Sequence, residues 1–204
     1  MTEGAIIIKK ALNSDGGHGI TFFEDCSTEK DELMKCLSNG DNFIIQSIIN
    51  QHETLASFNP QSVNTIRVMT FLIDGAPLVL SSVLRMGVNG SKVDNASSGG
   101  IVCGIMNTGE LKDCAYDSIG KKYIAHPQGK QFKGTLIPSY KECEKMAMQL
   151  AMRFINYSRL ISWDFSIDHK GNPLLIEANF TGGQLDFHQM CNGPVWGRLS
   201  ENIM

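Results

Sequence analysis

The stretch LISWDFSIDHKGNPLLIEANF, Leu160 to Phe180, reads as two strands around a polar turn and constrains the fold more than any other segment. Side chains alternate faces along a strand. Ile161, Trp163, Phe165 and Ile167 therefore share one face of the first strand, and Ser162, Asp164 and Ser166 the other. In the second strand Leu174, Ile176 and Ala178 share a face, with Glu177 and Asn179 together opposite. The apolar face needs a core. The polar face brings Asp164 near Glu177 and Asn179, and two readings of it stay open. It is either a solvent-facing side with Asp164 in a surface ion pair, or a cluster of hard oxygen ligands. Two carboxylates and an amide oxygen suit Mg²⁺, which keeps waters and takes further ligands from substrate phosphates. Without a cation, two carboxylates held close would repel and desolvate each other.

The rest of the chain is rich in the same hairpin pattern. Ala5–Lys9 and Ile20–Glu24 flank the glycine-rich LNSDGGHG, and Phe43–Ile49 (FIIQSII) is a strongly apolar strand. Thr65–Ile73 and Leu78–Arg85 pair around Asp74-Gly75, a good hairpin turn. Ile101–Met106 and Glu110–Tyr116 form another hairpin. Helical signals are few. Ser27 and Thr28 open one through about Asn39, and Ser139 with Glu142 predicts a capping box for another. That second helix carries an apolar stripe at Met146, Ala147, Leu150, Ala151 and Phe154. The segments 87–100 and 120–136 and the last 24 or so residues read as irregular. The sum is an α+β chain with mainly antiparallel sheet, and its 204 residues make one domain or two small lobes.

The composition narrows function further. A net charge of -3 provides no basic face for a nucleic acid. No apolar run reaches the roughly 18 residues of a membrane span, and MTEGAIIIKK is no secretory signal. The six cysteines lie scattered without a C-x-x-C pair, which fits reduced thiols in the cytoplasm.

Two further constellations carry chemistry. In IIIKKALNSDGGHGITFF, Gly16, Gly17 and Gly19 free the backbone to approach an anion, and Lys9 or Lys10 supplies a cation. No G-K-[ST] follows, and a strand comes after the glycines, so this is neither a P-loop nor a dinucleotide fingerprint. A plain flexible hairpin is the alternative, with His18 a bystander. Arg67 and Arg85 are each the only cation in a run that looks buried. A buried arginine needs an anion, which is either an internal acid or a bound phosphate or carboxylate. In DNASSGG beyond them, Asp94, Asn95, Gly99 and Gly100 form either a turn or a substrate clamp.

The order K…GG-G, FIIQSII, NTIRVMT, LRMG…DNASSGG and WDFS…IEAN resembles the ATP-grasp superfamily, from about Ile6 to Gln189. Within it the chain is most similar to the proteins associated with sugar transfer and surface-polysaccharide biosynthesis. VNTIRV and IEAN are the most specific pieces. The resemblance implies an ATP-grasp fold, two α+β lobes gripping a nucleotide, with a small glycine-flap lobe over 1–45 and a large lobe with the magnesium site over 46–204. It implies Lys9 at the α/β-phosphates, the Gly16, Gly17 and Gly19 loop as a flap, and backbone at Gln46, Ser47 and Ile48 reading adenine. Asp164, Glu177 and Asn179 match the family's magnesium ligands. Arg67 and Arg85 match arginines that stabilise the transferred phosphate or acyl-phosphate, and Asn95 the amide after them.

The activity so implied is an ATP- and Mg²⁺-dependent carboxylate–amine ligase acting on a small-molecule or sugar-linked acceptor, in the cytoplasm. Two other readings stand beside it, a kinase phosphorylating a hydroxyl and a non-catalytic nucleotide-binding module of a glycosyltransferase assembly. The sequence departs from the family pattern in three places. Lys9-Lys10 replaces a usual Lys-Pro, Ser98 stands where related ligases often have an arginine before the double glycine, and the chain begins almost at the first strand. The last point leads one to expect either a missing N-terminal domain or a partner that completes the protein.

Overall fold

The strand segments assemble into two sheets in the computed structural model. It describes residues 7–11 by backbone alone, together with 20–24, 28–38, 42–181, 183–197 and 199. The chain divides into two compact units, Met1–Asn50 and Gln51–Met204. In the first, β1 (Ile7–Ala11) pairs antiparallel with β2 (Ile20–Phe23) on one side and with β3 (Phe43–Ser47) on the other. Helix α1 (Lys30–Ser38) lies between β2 and β3 in the chain, with Asp31 and Glu32 in its first turn, where acids favour a helix. The opening hairpin is present, with Lys9 opposite Thr21. Gly16, Gly17, His18 and Gly19 lie outside the described residues, as does the side chain of Lys9.

The second unit carries a seven-stranded antiparallel sheet of β4 (Thr65–Ile73), β5 (Ala76–Met86), β6 (Ile101–Ile105), β7 (Leu111–Tyr116), β8 (Lys122–Tyr123), β9 (Leu160–Ile167) and β10 (Pro173–Asn179). Its order is β10-β9-β4-β5-β6-β7-β8. Asp74 and Gly75 join β4 to β5 with φ of 50° and 77°, the left-handed pair that suits a tight hairpin. Helix α3 (Tyr140–Arg153) covers one face. There Ile66, Val68, Leu84, Ile161, Trp163 and Phe165 meet Tyr140, Cys143, Ala147 and Ala151 in the main core. Trp163 satisfies its indole N–H on the Thr70 hydroxyl at 2.8 Å, which lets so large a ring be wholly buried. Helices α2 (Glu53–Ala56) and α4 (Leu185–Asn192) complete the unit.

One of two open readings falls here and three expectations are corrected. The polar face of β9 is not solvent-facing, since Ser162, Asp164 and Ser166 are all buried; β9 lies between β4 and β10, and α4 packs over the same side of the sheet at β5, β6 and β7. In β10 the strict alternation fails. A bulge between Leu175 and Glu177 pairs Leu175 with Phe165 and Leu174 with Ser166, so Leu174 joins the polar face. The capping box is not formed, because the Ser139 hydroxyl donates to the Gly171 carbonyl at 2.6 Å and makes no cap bond. The C-terminal stretch is not irregular throughout. It contains α4, whose Phe187 and Cys191, four residues apart, pack with Val83 and Val102 on the second face.

A buried polar knot fixes the loops at one end of β4 and β5. The Asn64 amide donates to the carbonyls of Leu55 and Asn59 and to Gln51 Oε1, while the Gln51 amide donates to Asn59 and Ser62. Asn59 reaches the Ser91 carbonyl at 2.8 Å, and Gly87 N–H donates to Asn64. The Gly87 carbonyl contacts His126 Nε2 at 3.0 Å. A Cβ at Gly87 would lie 2.6 Å from both Asn59 Nδ2 and Ser62 Oγ, closer than side-chain atoms pack. Gly87→Ala is therefore expected to lose about 1–3 kcal/mol of stability, measurable as a lowered urea midpoint; an unchanged midpoint would show that the knot gives way without cost.

Candidate functional site

Strand register places the charged residues. Arg67 lies opposite Asp164 between β4 and β9, and Asp164 lies opposite Glu177 between β9 and β10. The three form a row on one face. Asn179 pairs with Ser162 one step along, and Arg85 enters from β5 opposite Thr65. The structure thus brings Arg67, Arg85, Asn95, Asp164, Glu177 and Asn179 together within the second unit. Gln46 and Ser47 lie in β3 of the first unit, followed by Ile48.

Asp164, 2% exposed, is the hub. Arg67 grips it with two parallel hydrogen bonds, Nε to Oδ1 at 2.7 Å and Nη2 to Oδ2 at 2.6 Å. Arg85 Nη1 donates to the same Oδ2 at 3.0 Å. Bidentate guanidinium–carboxylate pairing is the strong form of the ion pair. The outer hydrogen bonds of the arginines go to other groups. Arg67 Nη1 donates to Gln184 Oε1 at 2.6 Å. Arg85 Nη2 donates to Asn95 Oδ1 and lies 3.4 Å from Asp94 Oδ1. Asp94 in turn accepts from the Thr65 hydroxyl. Both arginines thus have internal acids, the first of the two partners the sequence left open.

Burial works against the charge of Arg67, but the hydrogen bonds and charge of Asp164 outweigh it and raise its pKa. The carboxyl of Asp94 is raised chiefly by burial, opposed by Arg85 and the Thr65 hydrogen bond. Glu177 and Asn179 are less deeply buried than Asp164, and the Asn179 amide reaches Glu177 Oε1 at 3.3 Å. Asp164 receives three N–H bonds, leaving one of a carboxylate's roughly four lone-pair positions for another ligand. Among the described residues no group of three or more His, Cys, Asp and Glu could hold a metal. The donor set fits Mg²⁺ as two carboxylates and an amide oxygen, an ion that fills its shell with water and phosphate oxygens.

Sequence reasoning passed over Gln184 and His188. The signal was a stripe at every fourth residue, Gln184, His188 and Asn192, along one side of α4. His188 Nδ1 meets Ser81 Oγ at 2.8 Å, and the Asn192 amide donates to the same oxygen at 2.8 Å. Burial, and then the nearby charge of Arg67, push the His188 pKa down from 6.5 to about 3.

Two outcomes follow from this geometry. Asp164→Ala strips two buried arginines of their shared counter-charge and is expected to cost about 3–5 kcal/mol, read by urea unfolding; a loss within about 0.5 kcal/mol would mean that the cluster repacks. His188 stays neutral in the folded protein, while the unfolded chain takes up its proton below about 6.5. Its contribution is complete above that pH and falls by about 1.4 kcal/mol per pH unit as acid is added, down to the folded value. In His188→Gln the slope of stability between pH 6 and pH 4 should flatten by that amount, and an unaltered slope would place the titration elsewhere.

The family profile described as sugar-transfer associated ATP-grasp matches residues 1–204. Solved structures with a related fold include the Campylobacter jejuni biotin carboxylase–β,γ-ATP complex, at TM-score 0.50 and 15% identity over 93% of this chain and 34% of that one. D-alanyl-alanine synthetase A from Vibrio cholerae aligns at TM-score 0.51 and 10% identity over 98% of this chain and 48% of that one. The chain spans about a third to a half of these two structures. No match is found among curated proteins. With the whole chain matched and an α+β fold built on a large antiparallel sheet, the protein belongs to the sugar-transfer associated ATP-grasp family.

Proposed function

We propose that the protein binds Mg-ATP and activates a carboxylate as an acyl-phosphate for attack by an amine. The observation that carries this reading is the row of buried Arg67 and Asp164 with half-buried Glu177, and Arg85 and Asn179 beside it on the same face. An acceptor carboxylate oxygen bonds to the γ-phosphorus as the bond to ADP breaks. The amine nitrogen then bonds to the acyl carbon, phosphate leaves with the electron pair, and the amine proton passes to solvent. Both steps develop negative charge on phosphoryl oxygens. Fixed positive groups in a water-poor site stabilise such charge. Arg67 and Arg85 supply it here, and Asn95 holds Arg85 through its amide oxygen. Glu177, Asn179 and the remaining lone pair of Asp164 would hold Mg²⁺, which would supply positive charge against the charge that develops on the phosphoryl group.

Following the family likeness, we assign Lys9 and the Gly16, Gly17 and Gly19 loop to the phosphates and the Gln46, Ser47 and Ile48 backbone to the adenine. We take the acceptor to be small or sugar-linked, in keeping with the family's association with sugar transfer. Among the described residues no helix is long and apolar enough to cross a membrane. Use of ATP and the free thiols of Cys103, Cys143 and Cys191 favour the cytoplasm.

Thermal stabilisation by Mg-ATP tests the site, and a ligand at 100 times its Kd adds about 2.7 kcal/mol. Wild type should be stabilised and Glu177→Ala should not; a wild type that ignores Mg-ATP defeats the proposal. Screening acids with amines for ADP release, with the product's mass recorded, then separates amide formation from phosphorylation of a hydroxyl.

A further inference from the structure

Thr65, Asp94, Arg85, Asp164, Arg67 and Gln184 form one unbroken series of polar contacts through β4, the loop after β5, β5, β9 and the residue before α4. Its middle members have roles in the proposed chemistry, and its ends have none. Yet Asp94, held by Thr65, at one end and Gln184 at the other each meet the outer side of one guanidinium, away from the shared Asp164. An unrestrained arginine carries about 2 kcal/mol of rotamer entropy, so a guanidinium that must meet a developing charge works best when already fixed.

What distinguishes the two ends from incidental partners is how they are held. Gln184 precedes α4 with φ 57°, and α4 is pinned to β5 without help from Arg67. His188 and Asn192, one and two steps of four residues further on, both bond Ser81, and Asn192 also donates to the Ser82 carbonyl at 2.9 Å. Asp94 sits on a loop that the Asn59–Ser91 and Gly87–Asn64 bonds anchor, and the Thr65 hydroxyl fixes its far oxygen. Each arginine is therefore clasped between the common hub and a separately anchored group. Gln184 does this with a neutral amide, so Arg67 gains a fixed direction without a second counter-charge.

We infer that Gln184 and Asp94 are positioning residues, Gln184 setting Arg67 and Asp94 with Thr65 setting Arg85 towards the transferred phosphate. This rests on the Mg-ATP reading above. It predicts an effect confined to the γ-phosphate, which ATP has and ADP lacks, whereas a merely structural role would alter both nucleotides alike.

The test is calorimetric titration of the full chain with Mg-ATP and with Mg-ADP. Gln184→Ala and Asp94→Ala should each weaken Mg-ATP about tenfold, the scale of one charge-assisted hydrogen bond, while Mg-ADP stays within about twofold. Asp94→Asn keeps an oxygen for Arg85, with its amide N–H donating to the Thr65 hydroxyl instead of accepting from it, and should recover most of the loss. Thr65→Val should shift the ratio the same way by less, and it stands in if Asp94→Ala does not fold. Equal weakening of both nucleotides, or a lowered Tm with both affinities unchanged, overturns the inference alone. A wild type that binds neither nucleotide removes the Mg-ATP reading and this inference with it.

Discussion

One carboxylate between two guanidinium groups holds the polar face together. Asp164 cannot leave water cheaply, since an isolated buried charge costs many kcal/mol, and neither can Arg67 or Arg85. Each is tolerated because the others are present, and their geometry is the strong bidentate kind. The arrangement therefore comes as a unit. It also explains why these three residues lie on inner strands, where a low local dielectric strengthens every such contact and where β9, β4 and β5 are flanked on both edges.

The same sheet serves two ends through its two faces. On the α3 side, close-packed Trp163, Phe165, Leu84 and their neighbours supply the burial that a fold of this size needs. On the other side the strands carry charge, and the small cluster of Val83, Ala96, Val102, Phe187 and Cys191 gives α4 an apolar footing. Polar bonds to Ser81 and Ser82 complete that seat. A face specialised for chemistry is thus supported by a face specialised for packing, and the alternation of residues along β9 writes both into eight positions.

Much of this was legible in the sequence. The hairpin alternation marked the strands, and Asp74-Gly75 marked the turn between β4 and β5. A lone arginine in each of two apolar runs marked the buried cations. What escaped has physical causes. A bulge leaves no mark in the period of two, so Leu174 was assigned to the wrong face. Whether a polar face is wet depends on what the rest of the chain lays over it, and periodicity does not say. The helix α4 is short and half polar; the stripe of Gln184 before it with His188 and Asn192 looks hydrophilic because it binds other polar groups rather than a core. Ser139 offered a good cap signal, but a distant carbonyl at Gly171 took the hydroxyl.

The strand order has a consequence in time. Residue 67 pairs with residue 164 across 97 positions of chain, and the last clasp on Arg67 comes from residue 184. Contacts so distant close late, after the entropy of a long loop has been overcome. During synthesis β4 and β5 can form their hairpin early and Arg85 can reach Asp94 and Asn95, yet Arg67 must wait for its acid, and Arg85 for its second one, until β9 has emerged. A nascent chain stalled before residue 160 would thus hold two arginines with no hub, a state inclined to stay open rather than to set into a wrong core.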